Sequence, residues 1–475
     1  MNYLQFFQMR PEVTLLGVYL VIFLFDLIAN GRQRKMFHPI TCILVAFLCL
    51  LTTSDTSSFT LFGGMYESNA IIVVVKSILA FGSLLVILQA HKWLSDENTS
   101  YKQGEFYILL LSTLVGMFFM ISSRHFLLLF LGIELASLPL ACLVAFDKYR
   151  HNSAEAGIKY ILTSLFASAI MLYGISFLYG TTGTLYFKDM TADISGEPMQ
   201  IFALVMFFAG LGFKISLVPF HLWTADSYQG APTSVTAYLS VISKGAAVFT
   251  LFTVLTKVFA PMIEEWQNII YITVTASITI ANLMAIKQRY LKRFMAFSSI
   301  SQAGYIMLAV IGGKAEGMTS MVYYLIVYMM ANMAVFAIIE TIEWKVRKAV
   351  RRETFNGLYR TNPRLTLIMT LALFSLAGIP PFAGFFSKFF VFMSAFSAGF
   401  RILVLIALLN TVISLYYYLL IVKAMYIEQS NNPVEPIKCD IYTRISLTIC
   451  VAGIVLLGIC SFVYSSIDSI SFGMQ

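Results

Sequence analysis

The sequence predicts an all-α polytopic membrane protein of about fourteen transmembrane helices, with broken seventh and twelfth helices inside two inverted five-helix repeats. Three observations carry that expectation. Of the 475 residues, 59% are hydrophobic and only 12% are charged, and the mean hydropathy is +0.81, which the surface of a soluble domain of this size does not tolerate. The apolar residues gather into runs of about 20, the length that crosses a hydrocarbon core of about 30 Å. Two runs are interrupted by proline with a lysine nearby, at Pro219 and at Pro380 with Pro381, and comparable breaks in corresponding segments point to a transport site.

The same composition excludes other classes. The formal net charge of +8 would suit a polyanion partner, but the cations cluster in short loops between apolar runs, where orientation in the membrane explains them; no nucleic-acid partner is expected. Cys42, Cys49, Cys142, Cys439, Cys450 and Cys460 form no CxxC and do not pair with the five histidines, so no metal or iron–sulfur ligation is expected. The first apolar run lacks a basic start and a small-residue cleavage site before it and reads as a retained span.

Taken in order, the runs lie near 12 to 30, 38 to 53, 69 to 91, 105 to 122, 125 to 146, 154 to 180, 200 to 223, 231 to 258, 266 to 286, 292 to 312, 317 to 344, 364 to 395, 400 to 427 and 442 to 467. The first loop (Arg32, Arg34, Lys35), the fifth (Lys148, Arg150), the ninth (Lys287, Arg289, Lys292, Arg293) and the eleventh (Lys345, Arg347, Lys348, Arg351, Arg352, Arg360, Arg364) are basic. The second (Asp55, Glu67), sixth (Asp189, Asp193, Glu197) and eighth (Glu264, Glu265) lean acidic. Odd loops are therefore expected on the cytoplasmic side and both termini on the other.

Five spans separate the two proline breaks, and an odd separation gives the units around them opposite topology. The expected division is a three-helix segment over 1-104, a first inverted repeat over 105-258, a second over 259-427 and a C-terminal helix over 428-475. Two unrelated proline kinks are the rival reading. The longest polar stretches, around 91 to 105, 343 to 363 and 428 to 441, read as loops. No GxGxxG after a strand, GxxxxGKS or HExxH occurs, so neither nucleotide binding nor covalent chemistry is expected of this chain.

Charge inside the membrane is where function is expected. A charged side chain at mid-depth costs about 2.5 to 3.5 kcal/mol on insertion scales, so it faces a protein interior or a wet cavity. Lys214, Lys244 and Lys388 lie too far from the ends of their runs to snorkel, and neither Lys214 nor Lys244 is expected at a helix end. Glu134 lies about halfway along FLLLFLGIELASLPLACLVAF; a structural ion pair is the alternative. Lys159, in SAEAGIKYILTSLF, is close enough to its end to snorkel. His221, just past the first break, can exchange a proton near neutrality or donate to a freed carbonyl. Lys76 in the third run and Asp26 near the end of the first are weaker candidates, read equally well as interface anchors or contacts with another subunit, and Glu340 has no role that the sequence defines. Ser240, Ser243, Ser298, Ser299, Ser301, Gln302, Tyr305, Asn332 and Tyr416 to Tyr418 could hold water between these groups, or simply pack helices.

An opposite charge about 4 Å away at an effective dielectric near 20 is worth about 4 kcal/mol. That matches the roughly 4 kcal/mol that burial must remove before a lysine exchanges protons near neutrality. A glutamate swinging between near and far could thus switch a buried lysine between holding and releasing a proton. Glu134 is the only mid-span acid of the first repeat, so a pair with Lys214 is inferred, with a relay through Lys244 toward Lys388.

The stretches LGIELASLPL, FKISLVPFHLWTADSYQGAPTSVTAYLSVISKGAAVF, IKQRYLKRFMAFSSISQAGY and LAGIPPFAGFFSKFFVF resemble the antiporter-like membrane subunits of respiratory complex I, within them the subunit N type. The resemblance implies one proton channel driven by distant quinone reduction, with Glu134 and Lys214 as the coupled pair, Lys244 as the central relay and Lys388 as the terminal lysine. His221 and Lys159 join them as candidate relay residues. It implies no cofactor in this chain, with quinone, flavin and iron–sulfur clusters in partner subunits. Its expected partners are neighbouring membrane subunits, lipid and protons in a bacterial inner membrane. The first three spans match by topology more than by motif, so Asp26 and Lys76 take no role from it. Two other readings stand: a subunit of a multisubunit sodium/proton antiporter, whose chains share both breaks and the Glu/Lys pair, and a non-conducting scaffold. A scaffold would carry its buried charges at a cost on the order of 10 kcal/mol with no return.

Overall fold

The computed structural model describes residues 4–29, 36–53, 57–97, 99–148, 150–430 and 432–472. Arg32, Arg34, Lys35 and Asp55, which enter the orientation argument, lie outside the described residues. The chain is mostly helical, as it must be where no water can satisfy backbone N–H and C=O groups. Among the described residues, eleven helices are long and apolar enough to cross a membrane, fewer than the expected fourteen spans. Phe37–Thr52 has 16 residues, about 24 Å at 1.5 Å per residue. The expected twelfth span is two 15-residue helices, Pro363–Ala377 and Ala383–Ser397. Leu291–Val310 has 20 residues but carries Ser298, Ser299, Ser301 and Gln302. One antiparallel hairpin, Phe59–Leu61 with Tyr66–Ser68, departs from the all-α expectation.

Both proline breaks are present as breaks. After the helix Pro198–Ile215, Ser216 takes φ +66°, Val218–Pro219 is cis, and a helix resumes at Leu222–Gly230. After Pro363–Ala377, Gly378 takes φ +85°, Pro380–Pro381 is cis, and Ala383–Ser397 follows. Glycine at 378 meets a left-handed turn that a side chain would oppose. The chain divides into two compact units, one of Met1–Lys214 with Gly245–Trp266 and the other of Ile215–Lys244 with Gln267–Gln475.

In the first unit the helices Gln103–Ser122 and Phe126–Val144 touch backbone to backbone. A Cβ on Gly116 would stand 2.3 Å from Ala136 N, and one on Gly132 2.7 Å from Met120 N. Small residues permit such approach between membrane helices, and here the approach fixes the helix that carries Glu134. Gly116→Ala is expected to destabilise by about 3 kcal/mol, the upper range for overpacking. Thermal unfolding of the purified protein checks this, and an unchanged midpoint would contradict it.

The same unit buries an ion pair near the start of its first membrane helix. Lys76 Nζ lies 2.5 Å from Glu12 Oε1, Tyr66 donates to Glu12 Oε2 at 2.9 Å, and Lys76 also donates to the Tyr66 hydroxyl at 3.2 Å. The two charged side chains are essentially sealed from solvent. In the second unit the helix Ala315–Val346 is the axis of packing. Its 32 residues are buried almost to the end, and Leu291–Val310, Ala383–Ser397 and Ile441–Ile459 surround it.

Candidate functional site

In the first unit, Lys214 is the penultimate residue of its helix, not mid-helix as expected, because the chain breaks immediately after it. The partial negative charge of the helix's carbonyl end therefore lies beside the ammonium. Lys214 Nζ donates to Ser137 Oγ and, at 2.9 Å, to Ser164 Oγ. The rings of Tyr160 and Phe213 flank it, at 6.0 and 5.8 Å to their centroids. Ser137 comes three residues after Glu134 on one helix, and Tyr160 and Ser164 stand four apart on another, so each pair shares a face.

Glu134 lies within electrostatic reach of both Lys214 and Tyr160. Its Oε1 is buried with no hydrogen-bond partner. The ammonium thus rests on hydroxyls while the carboxylate stands within its field. Lys159 is placed elsewhere. It is one residue, hence about 100°, away from Tyr160, and pairs with Glu155 at 2.7 Å with both side chains over 40% exposed.

In the second unit, Lys244 directly follows a π-helical turn, Leu239–Ser243, inside the continuous apolar helix Thr233–Lys257, and so lies mid-helix as expected. Such single wide turns inside α-helices recur at functional sites. Lys244 is buried, donates to Ser299 Oγ at 2.7 Å and lies 5.7 Å from the Tyr228 ring. Ser240, inside the wide turn, accepts from Asn332 Nδ2 at 2.5 Å.

Lys388 is likewise buried. It donates at 3.1 Å to the carbonyl of Ala377, the last residue before the second break, and lies 4.9 Å from the Tyr305 ring. The break frees that carbonyl from helix bonding and the lysine takes it up. Beside Lys388 is a cavity of about 10 Å³, lined by Gln302, Tyr324, Tyr328, Ser375 and Ser387 among others, room for one water. Tyr324 donates to Gln302 Oε1, Gln302 Nε2 donates to the Tyr418 hydroxyl at 3.2 Å, and Ser298 hydrogen-bonds Tyr418 at 2.5 Å. Tyr417 and Tyr418 are buried whereas Tyr416 is 56% exposed.

His221 caps the helix Leu222–Gly230 without a side-chain cap bond. Its ring turns toward the Pro219 carbonyl and its Nδ1 is buried without a hydrogen-bond partner. Among the described residues no group of three or more His, Cys, Asp or Glu is arranged to hold a metal ion.

Sequence reasoning did not find Ser137, Tyr160, Ser164, Tyr228 or Tyr324. The i, i+3 spacing of Ser137 from Glu134 and the i, i+4 spacing of Ser164 from Tyr160 were the available signal. Nor did it single out Glu12, the partner of Lys76, which lies 64 residues away in the chain.

Residues 123–414 match the family model described as NADH:quinone oxidoreductase/Mrp antiporter, TM. NADH-quinone oxidoreductase subunit N of Phocaeicola vulgatus is 61% identical over 457 residues, covering 96% of this chain and 97% of the relative. The subunit N of Azobacteroides pseudotrichonymphae is 52% identical over 479 residues, covering 100% and 99%. Among solved structures, a chain of respiratory complex I from Thermus thermophilus is similar with a TM-score of 0.80 at 30% identity, over 94% of this chain and 96% of that one. A chain of the Mrp complex from a Dietzia species shares the fold, with a TM-score of 0.84 at 18% identity over 99% and 97%. With this match spanning more than half its length and these relatives covered nearly end to end, the chain belongs to the NADH:quinone oxidoreductase/Mrp antiporter family of membrane proteins, in its subunit N branch.

Proposed function

We infer that this chain is a proton-translocating membrane subunit of an NADH:quinone oxidoreductase and that it carries no redox centre of its own. Its task is to move protons when quinone is reduced elsewhere in the complex. The observation that carries the reading is Lys214: a buried ammonium held by two hydroxyls at the carbonyl end of a broken helix, with the unpartnered carboxylate oxygen of Glu134 in its field.

In this mechanism Glu134 and Lys214 are the coupled pair, Lys244 the central relay and Lys388 the terminal lysine. Movement of the Glu134 charge toward Lys214 favours the ammonium and movement away favours proton release to the next group, since an opposite charge about 4 Å away at an effective dielectric near 20 is worth about 4 kcal/mol. His221, with a free ring nitrogen, can pass a proton near the first break. Lys159, paired with Glu155 on the surface, acts at most by biasing the charge around Glu134. The chain crosses the bilayer about fourteen times with both termini on the periplasmic side, in two inverted five-helix repeats over 105-258 and 259-427. Flavin, iron–sulfur clusters and quinone belong to partner subunits, and neighbouring membrane subunits and lipid cover its apolar outer faces.

The multisubunit sodium/proton antiporter is the second reading, favoured by the shared fold of the Mrp complex chain; the identity of over 50% to two subunit N relatives weighs for the first. Purification of the tagged chain in mild detergent separates them. Co-purifying quinone- and iron–sulfur-bearing subunits with NADH:quinone reductase activity are expected. Arrival with small antiporter subunits and no flavin or iron would overturn the redox assignment.

A further inference from the structure

Glu340 is a buried acid that the relay above does not use. It lies in the last two turns of Ala315–Val346, is 9% exposed, and accepts a hydrogen bond from Ser234 Oγ at 2.6 Å through Oε1. Its Oε2 is buried with no hydrogen-bond partner. An unsatisfied buried oxygen of a charged group is costly and calls for an explanation.

Its surroundings supply one. Glu343, one turn further on, accepts from Thr233 Oγ1 at 2.5 Å and lies 3.6 Å from Lys292 Nζ, and its side chain is 19% exposed. Lys292 also donates to the Ala231 carbonyl at 2.9 Å. Glu343, Lys292 and Asp440 are the charged groups within electrostatic reach of Glu340. Outward, the cluster therefore reaches solvent through Glu343.

Inward, the segment that carries Ser234 runs beside the long helix and is bonded to it again at Asn332 and Ser240. The pairings 234 with 340 and 240 with 332 run antiparallel, so the two elements form one strip about 12 Å long from Glu340 to Asn332 at 1.5 Å per residue. At its inner end Ser299 Oγ donates to the Ser240 carbonyl at 3.5 Å and accepts from Lys244 Nζ.

We propose that Glu340 is the proton-loading carboxyl of the second unit. It takes a proton on Oε2 from water at Glu343 and delivers it, through water along the strip, toward Lys244 once that lysine has passed its own proton on. Each step breaks one O–H or N–H bond and forms another, and no electron moves. The proposal rests on the proton-translocating reading above and adds a point of proton uptake to it.

The test uses the assembled complex in proteoliposomes, with the proton-to-electron ratio and its pH profile measured for Glu340→Gln, Glu340→Asp, Ser234→Ala and Lys244→Ala. Glu340→Gln is expected to lose proton pumping to the extent of Lys244→Ala. Glu340→Asp is expected to retain it, and Ser234→Ala to retain it with a displaced pH profile, because the carboxyl loses its hydrogen-bond donor. A parental ratio and pH profile in Glu340→Gln, with Lys244→Ala defective, would overturn the proposal and leave the relay intact. Parental behaviour in both would instead sink the relay reading. Should Glu340→Gln fail to assemble, an unmoved pH profile in Ser234→Ala overturns the proposal.

Discussion

Lys214→Ala is expected to abolish most coupled proton pumping while the complex still assembles. The side chain is the ammonium held among Ser137, Ser164, Tyr160 and Phe213, and a positioned proton carrier is worth about 10²- to 10⁴-fold in transfer rate. Loss of about 100-fold or more in proton transfer through this chain is therefore expected, read as a lowered proton-to-electron ratio in proteoliposomes. Lys214→Arg separates charge from chemistry. A guanidinium keeps the positive charge and the hydroxyl contacts but does not release a proton in proteins, so it is expected to assemble well and pump as poorly as alanine. Glu134→Gln keeps the shape of the carboxyl and removes its charge, and is expected to lose most coupled pumping too. An intact ratio in Lys214→Ala or in Glu134→Gln would refute the roles assigned to the pair.

Lys76→Met is expected to cost about 3 to 5 kcal/mol, because removing one member of a buried ion pair strands the other. Glu12 would keep a single donor, Tyr66, in surroundings that leave its side chain 1% exposed. The double substitution Glu12→Gln with Lys76→Met is expected to recover much of the loss, since a buried pair replaced as a whole is often neutral. Thermal unfolding and subunit retention in detergent measure both. A single variant as stable as the parent would show that water reaches the pair, and a double variant no better than the single would show that packing, not charge, sets the cost.

The membrane class, the helical architecture and the two broken helices were legible in the chain because each rests on a local property. Continuous apolar runs of about 20 residues satisfy their backbone in lipid as helices, and proline interrupts a helix wherever it stands in its interior. Lys214, Lys244 and Lys388 were legible for a similar reason: a lysine inside an apolar run is expensive enough that its burial implies a partner. What the chain did not state was which partner. Lys214 finds Ser137 and Ser164, 77 and 50 residues away, and Lys388 finds a carbonyl that only the break makes available.

Helix rotation decided the rest. Lys159 and Tyr160 are neighbours in sequence, yet a turn of about 100° sends one to the surface with Glu155 and the other toward Lys214. Glu12, which the sequence does not single out, is likewise placed by packing and is sealed against Lys76. By itself, then, the sequence determined the solvent, the helices and the residues too costly to be idle, because insertion into lipid is charged residue by residue. Only the tertiary structure decided the hydroxyl partners of each lysine, the outward turn of Lys159 and the buried carboxyl of Glu340, because the pitch and packing of helices distant in the chain set which side chains meet.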